Sequence, residues 1–170
     1  MDIAVVGSSD INLGVATAAD LTLAGHAVGF AVWPDDRGIV EAIERRGGIE
    51  VTGDPEELVC GRLGLARPRS VGVDPAAAVR GADLVIIDVP WRSLERRFAD
   101  ILPALSDGQV VHVNMHGYWP SFRLAPLLAA AGKTGVTLTE GPDPLIAAGF
   151  ADGIVKTRRL KRNVPVAAFP

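Results

Sequence analysis

The residues best suited to chemistry gather where short apolar runs give way to polar turns. In "VVGSSDINLG", Gly7 closes an apolar run, and Ser8, Ser9, Asp10, Ile11 and Asn12 precede Gly14. A strand that turns sharply into a helix presents unpaired backbone N–H groups, which bind phosphate. A dinucleotide turn commonly carries G-x-G-x-x-G, with one glycine for the bend, one for close phosphate approach and one for helix packing. Here Gly7 supplies the bend, Ser9 stands at the second position, Asn12 at the third, and Gly14 follows two residues late. Ser8 and Ile11 line the same turn. Serine and asparagine side chains can donate to phosphate oxygens, although they narrow the channel. Asp10 suits a helix cap better than a phosphate neighbour, because like charges repel. Two readings stand: a lengthened pyrophosphate turn, which we favour, and a purely structural turn.

Other polar turns bear on the same chemistry. "VWPDDRG" places Asp35, Asp36 and Arg37 after a second apolar run. An acid there binds an adenosine ribose and suits NAD, whereas Arg37 keeps NADP open through its fit to a 2′-phosphate. A surface turn that caps the next helix is the alternative. Pro90 in "DVPW" and Asn114 in "NMHGYW" follow two later runs, where they would flank a ribose or nicotinamide. His116 in the second of these is the one histidine placed to act as an acid, base or substrate donor. The alternative is that its aromatic neighbours only pack against another domain. His26 belongs to a turn, and His112 lies within an apolar run and reads as a core histidine. Glu140, before "GPDP", is an ordinary loop acid unless a substrate reaches it.

Several classes of chemistry find no support. The single Cys60 makes no internal disulfide, suits a reducing, cytoplasmic setting, and reads as a small, half-buried side chain. No spacing of His, Cys or acidic residues suits a metal, and no G-x-S-x-G elbow appears, so hydrolysis is disfavoured. A formal net charge of −3 argues against a nucleic-acid binder. The apolar runs are far shorter than the roughly 20 residues of a membrane span, and no export signal is expected.

The elements that must position these residues alternate strand and helix over the 170-residue chain, which fits a single domain. Strands are expected at Ile3–Val6, Ala27–Trp33, Leu84–Val89, Gln109–Asn114 and Val136–Glu140, with one more core strand in the section between the second and third of these. Helices are expected from about Ile11 to Leu23, from the "PDDRG" turn to near Arg46, from near Pro75, and over Ser93–Leu105 and Ser121–Ala131. In the first helix Leu13, Ala16, Leu21 and Ala24 lie near one face, and "AGH" supplies a glycine stop. "GGIEVTGDPEELVCGRLGLARPRSVGV" reads as a hairpin-like excursion. The whole is an α/β chain with a doubly wound, mostly parallel sheet of Rossmann type, a hairpin insertion and a C-terminal extended hairpin around "KRN". In that hairpin Lys156, Arg158, Arg159, Lys161 and Arg162 read as the defence of an outer strand, the alternative being a hold on a carboxylate substrate, a phosphate or an acidic partner. The apolar "VPVAAFP" suggests a partner surface or a further domain.

With "IAVVG", "LAGHAV", "GGIEVTG", "AAAVRGADLVIIDVP", "LSDGQVVHVN" and "VPVAAFP" in this order, the chain resembles the N-terminal, dinucleotide-binding domain of the octopine/nopaline (opine) dehydrogenase family. The resemblance covers nearly all 170 residues. It implies an oxidoreductase that condenses an amino acid's amine with a 2-oxo acid, using hydride from NADH or NADPH. By position, Gly7, Ser9 and Asn12 would hold the pyrophosphate, Asp35 the adenosine ribose, and Pro90 and Asn114 the cofactor's other end. The family's catalytic His–Asp pair belongs to a helical C-terminal domain that is expected to be absent from residues 1–170. The isolated chain is therefore expected to be inactive. The alternative is a stand-alone module with a decayed nucleotide turn, which assembles as a homodimer or with a separate catalytic chain.

Overall fold

In the first strand, alternate side chains enter two different cores: Ile3 and Val5 one, Ala4 and Val6 the other. A strand apolar on both faces must lie inside a sheet with a layer on each side. The computed structural model, which describes residues 1–9, 13–114, 119–142 and 144–169, has that arrangement. The chain runs β1 (Asp2–Gly7), α1 (Leu13–Leu23), β2 (Ala27–Val32), α2 (Arg37–Arg46), β3 (Ile49–Thr52), β4 (Gly64–Ala66), β5 (Ser70–Gly72) and α3 (Pro75–Val79). It continues with β6 (Leu84–Asp88), α4 (Leu94–Ile101), β7 (Val110–Val113), α5 (Pro120–Ala130), β8 (Thr137–Glu140), β9 (Ile146–Ala151), β10 (Ile154–Leu160) and β11 (Ala167–Phe169).

Seven strands form the main sheet in the order β11-β8-β7-β6-β1-β2-β5, and all but β11 are parallel. The chain winds outward from β1 through β2, then crosses to β6 and winds the other way. The reversal between β1 and β6 opens a crevice at their carboxyl ends, where doubly wound sheets bind ligands. Phe98, Ile101, Leu105 and Leu124 fill the face under α4 and α5. Phe30, Ile43, Ile49 and Val155 fill the opposite face, where a smaller sheet of order β4-β3-β10-β9 closes over α1. No helix among the described residues is long and apolar enough to cross a membrane.

The expected core strands and helices are present within a residue or two at most ends, and β3 with β4 forms the expected hairpin. Gly25, at φ +98°, ends α1 as the "AGH" stop predicts. Three expectations need correction. The last two extended stretches do not form a hairpin with each other: β10 pairs with β3 and β9, whereas β11 pairs with β8 in the main sheet. Consequently β10 is an inner strand and its charges guard no edge. Val155 and Thr157 point inward, Lys156 and Arg158 outward, and a register shift after Thr157 turns Arg159 outward as well. Helix α1 is not buried along one stripe either. Gly14, Val15, Ala16, Ala18, Ala19 and Asp20 are buried while Ala24 is exposed, because the helix lies between two sheets and small residues admit both.

Candidate functional site

The crevice is built on two paired residues. Gly7, the last residue of β1, is in register with Asp88, the last of β6. Helix α1 leaves the crevice close above them. A Cβ on Gly14 would lie 3.2 Å from the Gly7 Cα and 3.3 Å from the Asp88 Cβ, so Gly14 performs the packing role that the motif assigns to its third glycine. A Cβ on Gly7 would make only ordinary contacts, at 3.5 Å from the Gly14 Cα and from Phe30. Ser8 is buried, and its hydroxyl finds no partner among the described residues. Asp10, Ile11 and Asn12 lie outside the described residues.

Ser9 links this turn to the end of β2. Its backbone N–H (3.1 Å) and its hydroxyl both donate to Asp36 Oδ1. Asp36 thus secures the turn, and its neighbour Asp35 is the exposed acid, with 61% of its side chain accessible. Arg97 of α4 donates through Nη2 to Asp35 at 2.6 Å, and this guanidinium holds the Asp35 carboxyl below the usual range. Arg37, the first residue of α2, is exposed beside them.

The floor of the crevice is polar and closed to water. Asp88 is fully buried, and burial pushes its carboxyl up to about 7, opposed by a hydrogen bond from Asn114. Asn114 Nδ2 donates to Asp88 Oδ2 (3.2 Å) and to Thr17 Oγ1 (3.3 Å) on α1. The second Asp88 oxygen has no partner among the described residues. Pro90, half-buried, leads into a 3₁₀ turn at Trp91–Ser93 at the mouth of the crevice. His116 lies outside the described residues, as do Gly117 and Tyr118. His112 is half-buried, its ring Nδ1 lies 3.0 Å from Thr139 Oγ1, and burial lowers its pKa. Glu140 accepts the Ser121 backbone N–H at 2.7 Å and so secures the first turn of α5. Among the described residues, no group of three or more His, Cys, Asp or Glu could hold a metal.

The structure therefore brings Gly7, Ser8, Ser9, Asp35 and Asn114 around one crevice. Sequence reading missed Asp88, Arg97, Thr17 and the packing role of Gly14. An acid ending the apolar run "LVIID" was a visible signal for Asp88. Nothing in "SLERRF" distinguishes Arg97 from Arg96. The close glycine pair, a buried serine and a carboxylate thus stand together at the carboxyl ends of β1 and β2, the end where doubly wound sheets bind ligands.

No protein-family model matches the chain. The opine dehydrogenase of Arthrobacter sp. (strain 1C) is 30% identical to it over 160 residues, which make up 94% of this chain and 42% of that protein. The chain thus spans less than half of that relative, and it corresponds roughly to its N-terminal half. Among solved structures, NADP⁺-bound yersinopine dehydrogenase superposes with a TM-score of 0.79 at 15% identity, covering 99% of this chain and 41% of that one. A PanE/ApbA family ketopantoate reductase from Ralstonia eutropha JMP134 superposes with a TM-score of 0.70 at 25% identity, covering 92% of this chain and 46% of that one.

Proposed function

We propose that this chain, a homologue of opine dehydrogenase over most of its length, is the NAD(P)-binding domain of an oxidoreductase that joins an amino acid to a 2-oxo acid by reductive condensation. The observation that carries this reading is the Gly7–Gly14 approach at the switch point of the sheet, with Asp35 standing at the end of the neighbouring strand. The Gly7–Ser9 turn takes the pyrophosphate, Asp35 takes the adenosine ribose, and Pro90 and Asn114 border the nicotinamide end. When bound, the dinucleotide supplies hydride, and this domain supplies its placement. The helical catalytic domain is supplied from outside residues 1–170. In this reading the chain alone turns over little substrate, because the family's catalytic His–Asp pair belongs to the other domain and residues 1–170 offer no complete acid/base pair; clear turnover by the pure chain would overturn this and point to His116. A cytoplasmic setting belongs to this reading and rests on the single cysteine of the chain, which can form no internal disulfide.

Calorimetric titration with NADH and NADPH, beside Gly7→Val, tests the reading. A bare Cβ at Gly7 makes only ordinary contacts, whereas the two further methyls of valine project into the turn, so the variant's cooperative unfolding is measured beside its binding and Gly7→Ala is run as the milder change. Saturable binding by the wild type, lost in the variant, is the expected result. Binding of neither dinucleotide by the wild type overturns it.

A second reading, an assembly module, draws support from the β8–β11 edge of the main sheet. Trp119, Phe122 and Phe169 form an exposed aromatic row, with 5.5 Å between successive ring centroids. Beside it, α5 and β8 border an apolar groove of about 460 Å³. A dimer that forms through this face and is indifferent to dinucleotide would favour that reading.

A further inference from the structure

The cluster at the end of β2 contains more than a ribose acid. Arg97 is 7% exposed, and its guanidinium lies 4.6 Å from the centre of the Trp33 ring. Nη2 reaches Asp35 at 2.6 Å and Asp36 at 3.9 Å. The buried Nε has no hydrogen-bond partner among the described residues. That Nε is sealed from solvent, so a ligand would meet the guanidinium at its Nη2 edge, where the exposed Asp35 sits, and a guanidinium edge is suited to pair with phosphate. Asp36 is committed to Ser9, and its side chain is only 10% exposed. Asp35, at 61%, can leave Arg97 without rearranging the core.

We propose that Arg97 reads the 2′ position of the adenosine ribose, with Asp35 as its gate, so that the native site selects NAD(H). While Asp35 occupies Arg97, the carboxylate accepts a 2′-hydroxyl and repels a 2′-phosphate. Without that charge, the guanidinium is free to pair with the phosphate, and the site turns toward NADP(H). Asp36 remains in place as the anchor of the turn. This inference rests on the dinucleotide reading above and adds the residue that sets cofactor choice.

Calorimetric titration of the wild type, Asp35→Asn, Arg97→Met and the double variant with NADH and NADPH tests it. The wild type is expected to bind NADH more tightly by roughly ten-fold or more, and Asp35→Asn to shift the NADH/NADPH ratio toward NADPH by at least about ten-fold. Adding Arg97→Met is expected to cancel the gain in NADPH affinity. Asp35 is exposed, so its asparagine variant does not depend on tolerance in the core. The inference fails, and the dinucleotide reading survives, if both cofactors bind but Asp35→Asn leaves the ratio unchanged, if the double variant keeps the gain, or if the wild type prefers NADPH. Binding of neither cofactor by the wild type overturns both.

Discussion

Burial of the Asp88 carboxyl between Gly14 and Asn114 ties the stability of the fold to pH. In the unfolded chain this group ionises near its ordinary value of about 3.9, whereas in the folded protein it holds its proton up to about 7. Below the unfolded value both states are protonated, and the group contributes nothing to the pH dependence. As pH rises from about 4 to about 7, the unfolded state loses its proton first, so stability falls, and it levels off above about 7. The full difference is on the order of 4 kcal/mol. Asparagine at the same place carries no titrating proton. Urea unfolding of the wild type and Asp88→Asn across this range should therefore show the wild type losing stability that the variant keeps, and equal pH profiles would refute the account. That an acid closes the run "LVIID" is visible in sequence, but its burial and its unused oxygen are not, because both depend on Asn114 and Gly14 closing over it.

At the scale of elements, α1 organises the molecule because it has sheet on both sides. Asp20, buried on this helix, accepts the backbone N–H groups of Val59 (3.1 Å) and Cys60 (3.0 Å), and so pins the loop between β3 and β4. Hydrogen bonds to a charged acceptor contribute about 1.5–3 kcal/mol each. Asp20→Ala is expected to cost about 3 kcal/mol and to release this loop first. Amide hydrogen exchange should speed up at Val59 and Cys60 before it does in β1 or β6; uniform acceleration would mean that Asp20 acts on the fold as a whole. Helical spacing places Leu13, Ala16, Leu21 and Ala24 near one face of α1, but the four-stranded sheet that covers the helix draws strands from distant parts of the chain. Its pairing of β3 with β10 joins Glu50 to Ile154, and helical periodicity carries no signal of such a contact.

At the scale of the whole molecule, the carboxyl ends of the parallel strands hold the polar crevice, and one flank of the main sheet carries the aromatic row of Trp119, Phe122 and Phe169. The assembly reading assigns this row to a contact between copies. On that reading, replacing the more exposed Phe122 with serine should change stability by less than about 1 kcal/mol while removing a dimer seen in sedimentation velocity; a wild type that sediments as a monomer refutes it. Loss of folding instead would show that the row belongs to the core. By itself, the sequence determined the kind of each main element and the turns where ligands gather, because short continuous apolar runs, the longer helical segments between them and glycine stops are local properties of the chain. It determined that Gly7, Asp35, Pro90 and Asn114 would stand at carboxyl ends. Only the tertiary structure decided that Arg97 rather than Arg96 meets Asp35, 62 residues away, and that Asp36 rather than Asp35 secures the turn. It also decided that β10 and β11 part into different sheets. Periodicity tells a residue that it is buried, but which partner it meets depends on how distant elements pack, and that is where the specificity of the site resides.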